Sequence, residues 1–316
     1  MTTTRRTWMK NSVAACASAL GATQSLGAAP AHRPSRVVDC HTHFYDPTRP
    51  GGVPWPGKGT PLYRTVLPEH WLALAAPHGA RETVVVEASP LLEDNQWILD
   101  LAEREKSIVG FVGNLDLADP QCSSHLARFA KNNIFRGIRA RGGLSQLETA
   151  RDVILQSAKT LAEHGLELDL NGAPASLQQI GAVLREVPDL TVVINHLGAP
   201  GDPKNLKPDW KDTIRKVSAE KNVFMKVSAL VEQVKGPAGE APREVDYYLP
   251  ILDHLWDCFG PDRLIYGSNW PVSDRGAPYD VVFGIVHEYF SSKGSEACEK
   301  YFWQNSVTAY RWTART

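Results

Sequence analysis

Short runs of apolar, β-branched residues recur along the chain, and between them apolar positions fall at helical spacing. The runs are "RVVDCHTH" (36–43), "ETVVVEAS" (82–89), "SIVGFVGNLDL" (107–117), "FRGIRARG" (135–142), "LELDLNG" (166–172), "TVVINHLG" (191–198), "VFMKVSAL" (223–230) and "RLIYGSNWP" (263–271). Segments such as "NQWILDLAEREK" and "TARDVILQSAKTLAEHG" place apolar residues three and four apart, the spacing of one helix face. Continuous apolar strands joined by crossover helices predict a parallel sheet covered on both faces. Eight such units after residue 31 predict an α/β fold, a (β/α)8 TIM barrel forming a single domain over 32–316. A doubly wound open sheet is the rival, but no G-x-G-x-x-G follows the first strand.

The first 31 residues follow a different pattern. "TRRTWMK" (4–10) precedes an Ala-rich, weakly apolar run without acidic residues, and Ala29-Pro30-Ala31 offers a small-residue cleavage site. Arg5–Arg6 ahead of Trp8, Met9 and Lys10 has the form of a twin-arginine signal, so residues 1–31 are expected to be an export signal and the protein periplasmic or otherwise exported. The expected partners are the twin-arginine export machinery and a small-molecule substrate. No stretch approaches the ~20 apolar residues of a membrane span, so no stable membrane anchor is expected. With a net charge of −1, the chain has no general attraction for nucleic acid or anionic lipid. Cys40, Cys122, Cys258 and Cys298 lie far apart with no C-x-x-C pair, which argues against a zinc ribbon and for free buried thiols.

In a barrel of this type the chemistry lies where the strands end. The polar residues at those ends are His41 and His43, Glu87, Asn114 with Asp116, Arg139 with Arg141, Asn171, His196, Lys226 and Asn269. Titratable groups at most of the strand ends point to an enzyme. His41 and His43, two apart, can face the mouth together, with His196 as a third imidazole. Arg139 and Arg141 suit a carboxylate or a polarised carbonyl. Lys226, in an apolar strand, can stabilise an oxyanion or pair with Glu87. Trp55 and Tyr63 belong to a long Pro/Gly-rich loop (44–67) of the kind that forms substrate lids. A zinc ion would need His41, His43 and His196, yet the fifth and eighth strands end in the amides Asn171 and Asn269, which are poor zinc ligands. Metal-free chemistry is therefore favoured, with a divalent metal such as zinc as the alternative.

The motifs "DCHTHFYDP", "RGIRA", "INHLG", "VFMKVSAL", "FGPDRLIYGSNWPV" and "YFWQNSVTAY" together resemble the amidohydrolase superfamily, in its branch of sugar-acid and dicarboxylate lactonases. That resemblance implies the same barrel and the opening of a lactone ring by water. It places the family's H-x-H on His41 and His43, its sixth-strand histidine on His196 and its fourth-strand arginine on Arg139. The family's general base, an Asp, falls on Asn269, which cannot take a proton from water. His196 or Glu87 is then expected to activate water, with Asp274 a further candidate and Asn269 orienting water or substrate. Competing readings are a lactone isomerase, a metal-dependent hydrolase or decarboxylase, and an exported binding protein on a retired barrel.

Overall fold

In the computed structural model of the chain, residues 32–140, 144–172 and 174–315 are described. Eight strands run in parallel and pair in sequence order: β1 (Val37–Thr42), β2 (Ala80–Val86), β3 (Ile108–Gly113), β4 (Phe135–Ala140), β5 (Glu167–Leu170), β6 (Thr191–Ile194), β7 (Val223–Val227) and β8 (Leu264–Tyr266). Each expected apolar run overlaps one strand, and β2 alone begins before its run, at Ala80. The strands stop short of the runs' ends because the polar residues there have already left the ladder.

Between consecutive strands lie the helices Pro68–Ala75, Asp94–Arg104, Cys122–Phe129, Arg151–Glu163, Ile180–Glu186, Pro208–Val217 and Leu249–Phe259, and Tyr279–Ser292 follows β8. Their apolar faces pack outside the strands in one large core that includes Trp71, Leu126, Leu161, Trp210 and Leu255. A second cluster joins Val38, Val84, Val109, Val193, Phe224 and Ile265 to Tyr310 and Trp312. Residues of β1, β3 and β6 can meet only if the sheet curves round on itself, so this cluster is the barrel's interior, with the C-terminal segment inserted into it.

The sheet closes between β8 and β1. Asn269 N donates to His41 O (2.8 Å) and His43 N to Trp270 O (3.0 Å), and Thr42 bridges Trp270 in parallel. The buried carboxylate of Asp39 reinforces this seam. Its Oδ1 accepts from Ser268 N at 2.8 Å and from His41 N at 3.2 Å, while Oδ2 accepts from Trp71 Nε1 and Tyr279 Oη, each at 3.2 Å. Burial pushes the Asp39 pKa up, against these donors.

The β1 register shifts in the same stretch, since Asp39 pairs with Thr83 but Thr42 with Val85. One extra residue breaks the strand's alternation and re-aims the side chains after it. Cys40 packs inside the barrel, and the adjacent His41 still turns toward the imidazoles of His43 and His196. The four cysteines Cys40, Cys122, Cys258 and Cys298 are free thiols. No helix among the described residues is long and apolar enough to cross a membrane.

Candidate active site

Three imidazoles meet at the C-terminal mouth. The His41 ring lies 5.0 Å from that of His43 and 4.5 Å from that of His196, centroid to centroid. His43 Nδ1 lies 2.9 Å from Val86 O; a carbonyl only accepts, so Nδ1 carries a proton and donates it there. His196 Nδ1 lies 3.0 Å from Ser228 Oγ. Burial above all, then the neighbouring charge of Lys226, holds His41 well below the ordinary histidine pKa. His196 is held down in the same sense by burial and then by Arg139 and Lys226. At neutral pH both rings are therefore uncharged. His41 is fully buried, and among the described residues neither of its ring nitrogens has a hydrogen-bond partner. An unpaired buried polar group costs about 1–3 kcal/mol, so this ring is positioned for something the fold alone does not supply.

Two buried ion pairs flank the imidazoles. Arg139 Nε donates to Glu87 Oε1 at 2.7 Å, and its Nη2 donates to Glu87 O at 2.8 Å. Lys226, with 0% exposure, donates from Nζ to Asp169 Oδ2 at 2.8 Å, and Tyr310 Oη donates to Asp169 Oδ1 at 3.1 Å. The expected Lys226–Glu87 pair is thus corrected: each base takes a different acid. The reason is register, since Asp169 of β5 faces into the barrel interior, where Lys226 extends, and Glu87 stands just past β2, where Arg139 arrives. Glu87, considered above as a water-activating base, has its carboxylate engaged by the guanidinium.

Other expected residues divide by location. Trp55 approaches the site edge-on, its ring 5.9 Å from His43 and 5.3 Å from Tyr45. The loop carrying it is pinned by the Tyr45–Val66 bridge, by the Arg49–Asp94 ion pair at 3.0 Å and by Arg49 over the Trp97 ring at 4.4 Å. Tyr63, half-buried on the same loop, gives its amide to Thr60 O. Asn114 and Asp116 turn away from the imidazoles: Asn114 Nδ2 donates to Pro90 O and Asp116 accepts from Ala118 N. Asp274 pairs with Arg64 at 3.4 Å. Arg141 lies outside the described residues.

Asn269, at the end of β8, sits at φ +63° and His196, past β6, at φ +53°. Left-handed backbone is costly for residues other than glycine, and such strain concentrates where side chains must be aimed. Asn269 is aimed at a residue that the sequence did not single out. Its Nδ2 donates to Glu232 Oε1 at 2.7 Å, while Glu232 Oε2 is buried without a partner among the described residues. Glu232 lies in the short 3-10 turn Val231–Gln233 after β7. Both residues border a cavity of about 290 Å³ that is also lined by Glu240 and Arg275. Burial pushes the Glu232 carboxyl up to about 7, against the Asn269 amide and Arg275, with Asp274 adding to the rise. Glu232 escaped notice because it belongs to a loop, where no strand or helix period signals direction.

A resident divalent ion is a poor match for these donors. Among the described residues no three His, Cys, Asp or Glu side chains are grouped to hold one. Two cations, Arg139 and Lys226, act on the same imidazoles, and β8 ends in an amide rather than a carboxylate. His41 would suit such an ion, but the set around it does not, and no step below runs through one.

Comparison with known proteins gives a consistent picture. A family model described as amidohydrolase matches residues 38–312. An L-fucono-1,5-lactonase of Burkholderia ambifaria is 32% identical over 239 residues, covering 75% of this chain and 80% of that protein. A second protein of that name, from Burkholderia multivorans, is 27% identical over 280 residues, covering 84% of this chain and 92% of that one. The crystal structure of a Burkholderia multivorans amidohydrolase with bound zinc superposes with a TM-score of 0.78 at 24% identity, over 88% of this chain and all of that one; at that identity the likeness speaks to the fold.

Proposed function

Because the chain belongs to the amidohydrolase family, we propose that it is a lactonase, opening the ring of a sugar-acid lactone by addition of water. The observation that carries this reading is the meeting of the His41, His43 and His196 imidazoles beside Arg139, with His41 and His196 uncharged. Neutral imidazoles can donate to a carbonyl oxygen without a fixed charge to be neutralised by bound anions, and the adjacent guanidinium favours the negative charge that develops there. The name shared by the two Burkholderia relatives points to a six-carbon aldonic acid ring as substrate. Polar groups around the mouth suit its hydroxyls, and Trp55 offers a flat apolar face to the ring's C–H side.

In this reading the lactone carbonyl enters among the three imidazoles. His41, whose nitrogens have no other partner, donates to the carbonyl oxygen as it becomes an oxyanion. Arg139, fixed in orientation by two bonds to Glu87, adds its field to the same charge. His196, oriented by Ser228, is placed to hydrogen-bond the departing ring oxygen. Such preorganised donors typically contribute several kcal/mol of barrier lowering, about 3–4 kcal/mol for one well-placed donor.

Metal independence and export are parts of the same proposal. The first rests on the donor set described above, the second on "TRRTWMK" and the A-x-A site in residues 1–31, which lie outside the described residues. Purified protein is expected to release acid from sugar-acid lactones in an alkali-titration assay, at the same rate after dialysis against a chelator. Formation of a ring-shifted isomer without acid release would replace hydrolysis by isomerisation. A rate abolished by chelation and restored by zinc would overturn the metal-free mechanism.

A further inference from the structure

Hydrolysis needs a group that accepts a proton from water, and the residues nearest the imidazoles are badly placed for that task. Asn269 is an amide. Arg139 and Lys226 are cations, each already bonded to an acid. His41 and His196 are held well below the ordinary histidine range by burial and by those two cations, which makes them weak bases. Glu87 is bound to Arg139 through both its side chain and its backbone.

We infer that Glu232 is the general base, supplying from the loop after β7 the carboxylate that the end of β8 lacks. This rests on the lactonase reading. Three observations support it. Asn269 Nδ2 holds Oε1 at 2.7 Å, which fixes the carboxylate's orientation. Oε2 has no partner, so one oxygen is uncommitted. Asn269 also donates its backbone N–H to His41 O at 2.8 Å, which ties the residue that holds Glu232 to the strand that carries the unpaired imidazole. The cavity bordered by Glu232 and Asn269, about 290 Å³, has room for water beside a sugar ring's substituents. The left-handed backbone at Asn269 then has a purpose: it points the amide at Glu232.

A Glu232 oxygen takes one hydrogen of water as the water oxygen bonds to the ester carbonyl carbon. The tetrahedral adduct breaks its ring C–O bond, and the proton held by Glu232 passes to the departing alkoxide. Glu232 ends as the carboxylate, so water has been added across the bond. The product carboxylic acid then ionises.

The charged and titratable groups bearing on Glu232 are Arg275 and Asp274 from the turn after β8 and Tyr248 at the start of the helix before it. Burial outweighs them and leaves the carboxyl at about 7, close to the best value for a base working at neutral pH. Its conjugate acid is inactive, so activity falls as the pH drops below about 7.

The test compares wild type with E232Q, N269D and the E232Q/N269D double variant on the lactone that wild type hydrolyses best. E232Q keeps an acceptor for the Asn269 amide and should retain the fold. It is expected to lose about 100-fold or more in kcat/KM and to lose the acid limb of the pH profile. The double variant, which returns a carboxylate to β8, is expected to recover part of the rate with its acid limb at lower pH. Infrared difference spectra, wild type against E232Q without substrate, should show a carboxyl band titrating near neutral pH. E232Q at the wild-type rate with an unchanged pH limb, or no such band, overturns the role of Glu232 and leaves the lactonase reading in place. Wild type inactive on every lactone overturns the lactonase reading, and Glu232 as its base falls with it.

Discussion

Exchanging Lys226 for methionine is expected to lower the unfolding free energy by about 3–5 kcal/mol, the usual cost of removing one partner from a buried ion pair. The ammonium has 0% exposure and donates to Asp169 Oδ2 at 2.8 Å, and the Tyr310 ring stands 5.1 Å from it. Methionine fills most of the same volume, so packing changes little. The loss comes from Asp169, which keeps the Tyr310 hydroxyl as a donor but loses its counter-ion in the barrel interior, with the Glu167 carboxyl beside it. Removing the acid as well, in K226M/D169L, should recover much of the loss, because the pair's net contribution is small compared with the penalty for splitting it. Denaturant unfolding of the two variants checks both statements. A single variant less than about 1 kcal/mol below wild type would show that water reaches this pair after all.

Exchanging His41 for leucine should separate activity from stability in the opposite sense. No hydrogen bond among the described residues uses either ring nitrogen of His41, and replacing a buried unpaired polar group by an apolar one of similar size is near neutral or stabilising. Stability is therefore expected to hold or to rise by about 1 kcal/mol. Lactone hydrolysis should fall about 100- to 1,000-fold, the effect of losing one donor to a developing oxyanion. The His41 ring titrates well below its ordinary range in the folded chain. Sign follows: the unfolded chain binds the proton first as pH falls, so wild type loses stability on acidification below about pH 6.5 and the variant loses less. Thermal unfolding between pH 5 and 8, beside kcat/KM, decides the matter. A variant several kcal/mol less stable than wild type would mean that the imidazole holds the fold together.

The barrel was legible in the sequence because each strand is an apolar run bounded by polar residues, and eight of them cannot be arranged in ~280 residues with crossover helices in many ways. The strand-end imidazoles were legible for the same reason, since position along a parallel strand fixes which end a residue occupies. Pairing was not legible. Lys226 has acids available from several strands, and the choice of Asp169 over Glu87 depends on depth within the barrel and on which residues face inward, both set by register. Nor could periodicity show that Asn114 turns to the loop after β2 and Asp116 into its own loop. Glu232 was hidden more thoroughly. The loop after β7 brings it under Asn269 through a 3-10 turn, and no spacing rule spans that arrangement.

The seam between β8 and β1 carries a consequence for how the molecule comes into being. Asp39 and Ser268, which bond across it, are 229 residues apart in sequence, and Asp39 and Tyr279 are 240 apart. The first strand must therefore wait for nearly the whole chain before it has its last neighbour, and contacts of such separation form late and slowly. His41 and Asn269 are joined across that same gap. The site is thus assembled by the final closure, and a chain that has collapsed but not yet closed has no site at all. Return of lactone hydrolysis during refolding should lag behind the return of helical circular dichroism, making the enzyme's own turnover a clock for the last event in its folding.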